Sequence, residues 1–306
     1  MNFVYAALLG YLCGSLPTAY LVSRLFYGIN IFEHGSKNMG ATNVYRVLGT
    51  WPFAVTLAVW NALFLREAVA RLSASRGAWA WIVLEPVLHV LFMLLIFTVL
   101  RARTIAGADA TTWLLVGMVS FFTTQNVFQR AMGAISANAA LFAYRQGRPV
   151  DTVGVRFGLG VLLGRAAATV LLLLVGLLGH TIAPPDPLGA IAAYLGLMLC
   201  GLGLGLMLSV AGHLVPEINN IAPFLFRPLY FLSGVIVPLT IVPVQYREWV
   251  FFNPFAHGIE LLRNSFFPNY HSAPEANFGY LYAFAVVSIF LGLALHVRFA
   301  ERLRAQ

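Results

Sequence analysis

The sequence predicts an all-α polytopic membrane protein. Three observations carry this: 60% of its 306 residues are hydrophobic, only 10% are charged, and mean hydropathy is +0.81. A soluble domain is about half apolar and a quarter charged, so this composition excludes a soluble globule, a disordered chain and a secreted disulfide scaffold. The net charge of +8 comes from arginine, Lys37 being the only lysine. In a membrane chain such an excess first sets orientation and attraction to anionic headgroups. Cys13 and Cys200 lie in apolar runs, and the histidines show no paired spacing, so neither a disulfide framework nor a metal site is expected.

Residues 2–26 form the first apolar run, broken by Gly14, Ser15 and Pro17. It has no basic start and no small-residue cleavage site, so a membrane helix is expected rather than a signal peptide. Residues 27–50 are polar and glycine-rich. Residues 54–77 then place Leu57, Trp60, Phe64 and Ala68 on one side and Arg66, Glu67, Arg71 and Arg76 on the other. This is the pattern of a helix lying in the membrane interface, although a solvated helix has it too.

Six further spans are expected at about residues 79–100, 111–133, 157–179, 188–213, 223–242 and 279–299. The fifth is interrupted by Pro223, Pro228, Gly234 and Pro238. After it, Asn253-Pro254 is a good helix start, and residues 257–267 are too short and polar to cross. A re-entrant or surface helix is expected there. Basic residues divide unevenly between the two sets of loops. Lys37, Arg46, Arg66, Arg71, Arg76, Arg145, Arg148, Arg156, Arg302 and Arg304 face Arg101, Arg103, Arg247 and Arg263. The richer set is expected in the cytoplasm, with the N-terminus outside and the C-terminus inside.

Candidate functional residues are polar groups on apolar helices. Trp81, Glu85 and His89 repeat on one helix face, and ionisable groups inside a span normally face a cavity or a partner. Phe122, Gln125, Asn126, Gln129 and Arg130 make one half of the next span polar; they either line an entrance or bond neighbouring helices. In the broken span Asn220, Arg227 and Tyr230 lie on roughly one side, Arg227 meeting either an acidic ligand or headgroups. Tyr230, Phe231, Trp249, Phe251 and Phe252 suit either sugar stacking or an aromatic belt. His257, Glu260 and Asn264 share a face of the short outer helix, a candidate outer gate. Gly196, Cys200, Gly203 and Gly205 allow a close helix contact.

Residues 10–49 read GYLCGSLPTAYLVSRLFYGINIFEHGSKNMGATNVYRVLG. This resembles the start of the bacterial acyl-phosphate-dependent glycerol-3-phosphate acyltransferases, whose first cytoplasmic motif HGSKNMGATNVYR is like. The resemblance implies a phosphate-wrapping loop with Ser36, Asn38, Asn43 and Arg46 in it. The later motifs of that family are absent. The blocks NALFLREAVARL, WAWIVLEPVLHVLFMLLIF, FAYRQGRPVDT and RPLYFLSGVIVPLTIVPVQYREWVFFNPFAHGIELLRNSFFPNY follow in order. They resemble the membrane subunit of capsular polysaccharide ABC exporters of the KpsM type over about residues 61–300. The division expected is an acyltransferase-like leading span and loop at 1–50, a fusion fragment, and an exporter transmembrane domain at 51–306.

That resemblance implies a six-span type II ABC exporter permease with an interfacial helix and a re-entrant outer helix, preceded by one extra span. It implies a non-enzymatic transport subunit that acts as a homodimer on a lipid-linked acidic polysaccharide in the bacterial inner membrane. Two ATPase subunits would bind ATP and Mg; the chain itself has no GxxxxGK[ST]. A periplasmic co-polymerase or adaptor and an outer-membrane exporter are further implied partners, and nucleic acid is not. The coupling surface for the ATPase is expected at residues 136–151, with Asn138, Tyr144, Arg145, Arg148 and Asp151; a plain basic loop is the alternative. O-antigen or teichoic acid remains an alternative cargo, and glycerol-3-phosphate acylation an alternative activity.

Overall fold

In a computed structural model the described residues are 23–24, 27–31, 33–35, 41–50, 52, 84, 87–93, 95–96, 104–138 and 149–304. Most of the leading span, the amphipathic stretch at 54–77, Trp81, Glu85, and the loop residues Tyr144, Arg145 and Arg148 lie outside them. The described parts of residues 84–96 are helical.

The remainder is almost entirely helical. A short helix, α1 (Ala41–Leu48), precedes the bundle. The bundle begins with a two-stranded hairpin, β1 (Thr104–Ile105) and β2 (Ala108–Asp109), whose antiparallel register pairs Thr104 with Asp109. Its two turn residues, Ala106 and Gly107, have φ of 49° and 86°, the left-handed pair that a two-residue hairpin turn requires. The sequence reading had no strand here.

Asp109 then caps α2 (Ala110–Met132), accepting from the Thr112 N–H and hydroxyl, each at 2.9 Å. At the other end, Arg156 Nη1 donates to the Gly133 carbonyl at 3.1 Å, so a cation closes the negative end of the helix. α3 (Pro149–Leu177) starts eight residues before the expected span; Pro149 opens it and Asp151 sits in its first turn. α4 (Pro187–Leu214) is capped by Asp186, and α8 (Phe278–Arg298) by Asn277. Among the described residues, α3, α4 and α8 are long and apolar enough to cross a membrane. α2, at 23 residues, is long enough but more polar.

α4 is the centre of the bundle. Half of its most apolar window is buried within the chain, against 28% for α3 and 22% for α8. It packs on α2 and α8 along its glycines. A Cβ at Gly201 would stand 3.1 Å from the Thr124 carbonyl oxygen of α2, and one at Gly203 would run into Ser288 and reach the Ile289 nitrogen of α8 at 2.9 Å. The small-residue stripe is therefore occupied within one chain by α2 and α8.

The expected fifth span is not one helix. α5 (Ile218–Leu232) starts earlier and stops after 15 residues, a rise of about 22 Å, shorter than the ~30 Å hydrocarbon core. It ends where Gly234 turns left-handed (φ +72°). A 3₁₀ turn (Leu239–Ile241), α6 (Val244–Val250) and α7 (Pro254–Phe266) follow. α7 starts at Asn253, which accepts from the Phe255 N–H at 3.1 Å, as the Asn-Pro pair predicts. It packs against α4, α8 and α2.

Candidate functional site

Two regions gather the residues singled out in the sequence. The first lies where α2, α5 and residues 87–93 meet. The His89 ring meets Phe122 edge-on at 4.9 Å, and Phe122 stacks on Tyr230 at 5.5 Å. Phe121, Phe226, Phe255 and Phe128 continue the cluster, Phe128 and Phe226 stacking at 4.4 Å. Such offset and edge contacts are the favoured ring geometries. The buried Tyr230 hydroxyl has no hydrogen-bond partner among the described residues. Three expected path residues, His89, Phe122 and Tyr230, are thus brought together from segments far apart in the chain.

Down α2 from this cluster, Asn126 and Gln129 are exposed and Gln125 and Arg130 half-buried. Arg130 Nε donates to Asn126 Oδ1 at 3.2 Å. The expected polar face is thus partly exposed within the chain. In α5 the residues expected on one side have different surroundings. Asn220 and Arg227 are exposed, the Arg227 guanidinium lying 5.4 Å from the Phe224 ring, whereas Tyr230 turns inward to the aromatic cluster. Of the other aromatics, Phe231, Trp249 and Phe252 are exposed and Phe251 is buried.

The second region is the short helix α7. Arg263 has 0% exposure and is held by backbone oxygens just past the end of α5 and in α2. Nη1 donates to Gly234 O at 2.5 Å, Nη2 to Val235 O at 2.8 Å, and Nε to Trp113 O at 3.4 Å. The guanidinium carbon lies 3.4 Å from the centre of the Trp113 ring. Glu260, equally buried, stands 3.8 Å from Arg263 and accepts from the Tyr270 hydroxyl at 2.9 and 3.1 Å and from the Ala273 N–H at 3.3 Å. Arg263, which the sequence counted among the loop charges, is therefore no loop charge but part of this buried network.

His257 ties α7 to its flanks. Nε2 meets Phe251 O at 2.7 Å and Nδ1 meets the Asn277 N–H at 2.9 Å. Only the neutral ring with its proton on Nε2 satisfies both. Asn264, expected on the same face, is exposed and apart from this network. Burial pushes the His257 ring below its ordinary 6.5. The unfolded chain then takes up the proton first, so the contribution of His257 to stability is complete above about pH 6.5 and falls as the pH drops through and below that value. Thermal unfolding from pH 8 to 5 should show this loss, and His257→Gln should flatten it; an unchanged pH profile in the variant would refute the assignment.

At the far end of the bundle, the two edges of the expected coupling loop are described. Asn138 is buried, its amide donating to Ala134 O at 2.8 Å, and Asp151 belongs to α3. Before the bundle, Asn43 is buried and donates to Ile31 O at 3.3 Å and His34 O at 3.1 Å, holding the loop that precedes α1. Arg46 is exposed; Ser36 and Asn38 lie outside the described residues. Sequence reasoning missed the role of Arg263, although its i,i+3 spacing from Glu260 on a short helix was visible.

Comparison with known proteins bears on both parts of the chain. Residues 58–267 match the ABC-2 type transporter family, and residues 4–63 match the glycerol-3-phosphate acyltransferase family. The polysialic acid transport protein KpsM of Escherichia coli is 35% identical over 244 residues, 80% of this chain and 94% of that protein. The capsule polysaccharide export inner-membrane protein CtrC of Neisseria meningitidis is 29% identical over 251 residues, 81% of this chain and 93% of its own length. A glycerol-3-phosphate acyltransferase of Carboxydothermus hydrogenoformans is 53% identical over 53 residues, 17% of this chain and 27% of that enzyme. A near end-to-end relative at this identity, together with the family match, places the chain: it belongs to the ABC-2 type transporter family, among the relatives of the capsule polysaccharide export inner-membrane proteins.

Proposed function

We propose that this chain is the channel-forming transmembrane subunit of an ATP-driven exporter that carries lipid-linked capsular polysaccharide across the inner membrane. The single observation behind this reading is the similarity to KpsM over 94% of that protein's length. Two copies would enclose the path, since a polymer-sized channel needs more helices than one chain offers. Of the residues expected on the path, Gln129, Asn220 and Arg227 are exposed within the chain and are the described ones best placed to face it. ATP and Mg belong to a separate pair of ATPase subunits, which meet the loop carrying Tyr144, Arg145 and Arg148. Periplasmic and outer-membrane partners complete the route, and the C-terminus lies in the cytoplasm. Residues 1–50 act as an extra leading span, because they correspond to about a quarter of an acyltransferase and lack the rest of its site.

Expression in a strain lacking its own capsule permease, together with the cognate ATPase, should restore surface polysaccharide. A chain without residues 1–50 should restore it equally. Absence of export from protein correctly inserted in the membrane, or rescue of O-antigen export alone, would overturn the cargo assignment. Acyl transfer to glycerol 3-phosphate by the purified chain would overturn the transport reading.

A further inference from the structure

We propose that the groove between α2 and α3 holds an anionic glycerophospholipid of the bilayer, one acyl chain lying along the groove and the phosphate against Arg130. The groove is open along one side; the empty space in it together with the solvent over its mouth is about 430 Å³. It runs from the level of Arg130 and Gly160 to that of Val119 and Leu171, about 16 Å along the helices.

Its α3 wall consists of Gly160, Leu163, Gly164 and further small or aliphatic residues, with no polar side chain. α3 is also largely uncovered within the chain, which leaves this wall open to a bilayer lipid. The α2 wall is polar only towards its C-terminal end. Thr123 spends its hydroxyl on Val119 O at 2.7 Å. Asn126 gives its oxygen to Arg130 Nε, which leaves its amide N–H groups to donate. Arg130 Nη1 is buried and has no partner among the described residues. Gly160 makes room for the arginine stem: a Cβ there would lie 3.1 Å from Arg130 Cδ.

The ligand this arrangement fits is slender, apolar along its length, and negative at one end. A sugar polymer would find hydrogen-bond partners at one end only. An anionic phospholipid matches both parts, and a guanidinium binds phosphate through paired, charge-assisted hydrogen bonds. Committing to a bilayer lipid makes the site independent of the cargo.

The test is native mass spectrometry of the full chain, purified in detergent from a host that makes no capsule, with phosphatidylglycerol or phosphatidylethanolamine added. The expected result is one phosphatidylglycerol retained per chain in preference to phosphatidylethanolamine. Arg130→Gln should weaken retention about tenfold, the scale of one charge-assisted hydrogen bond. Ala168→Phe, at the half-exposed rim of the groove, should do the same at unchanged melting temperature. Arg227→Gln, an exposed arginine elsewhere, should retain lipid as the parent does. Equal retention in parent, Arg130→Gln and Ala168→Phe would overturn the proposal. So would equal retention of the two lipids, retention only from a capsule-making host, or a change of oligomeric state in Ala168→Phe with lipid unaffected.

Discussion

Arg263→Met should destabilise the protein by about 3–5 kcal/mol, the cost of removing one partner from a buried ion pair. Arg263 has 0% exposure and serves three elements at once. It neutralises Glu260, supplies donors to the carbonyls of Gly234 and Val235 where α5 breaks, and covers the Trp113 ring. Methionine keeps much of the volume and none of the donors. It therefore leaves the Glu260 carboxylate without its counter-charge and the Gly234 and Val235 oxygens without their donors in a dry interior, each of which is costly. Glu260→Gln should be milder. Its amide oxygen still accepts from Tyr270 and Ala273, and Arg263 keeps its three backbone acceptors. Melting curves of detergent-solubilised protein give the comparison. An Arg263→Met protein that melts with the parent would show that the network is dispensable; a Glu260→Gln protein less stable than Arg263→Met would reverse the proposed hierarchy.

Gly203→Leu should lower stability by about 3 kcal/mol, the upper end of ordinary overpacking. The first added atom would collide with Ser288 and approach the Ile289 backbone nitrogen, so α4 and α8 must separate. Backbone gives way far less readily than the far end of a side chain, and α4–α8 is the most extensive helix contact among the described residues. Gly158, on α3, is the matched control: a Cβ there meets nothing within 4 Å, and Gly158→Leu should melt with the parent. Equal melting of the two variants would show that the α4–α8 seam can open at no cost. Against a folded-state margin of about 5–15 kcal/mol, either damaging substitution is large enough to cut the amount of intact protein in a membrane.

Much of the candidate site was legible because its signals are local. Polar side chains in Phe122–Arg130 stand out in an apolar helix, and the Asn253-Pro254 pair starts α7 as its chemistry requires. The partners were not legible, since they come from distant segments. Nothing adjacent in sequence ties Arg263 to Trp113, 150 residues earlier, or Asn277 to His257. Sharing a helix face was also a poor guide to fate: Tyr230 turns into a ring cluster because Phe121 and Phe122 of α2 meet it, while Arg227 and Asn220 stay outside.

By itself, the sequence determined that this is a helical membrane chain that resembles two families in turn, because apolar run length and local motifs carry that information without folding. Only the tertiary structure decided that the proline-broken segment stops partway and that a buried arginine satisfies its loose end. It alone decided that the glycines of α4 serve helices of the same chain. These outcomes depend on which backbone groups lose water and which neighbours replace it, and that is set by packing rather than by sequence order.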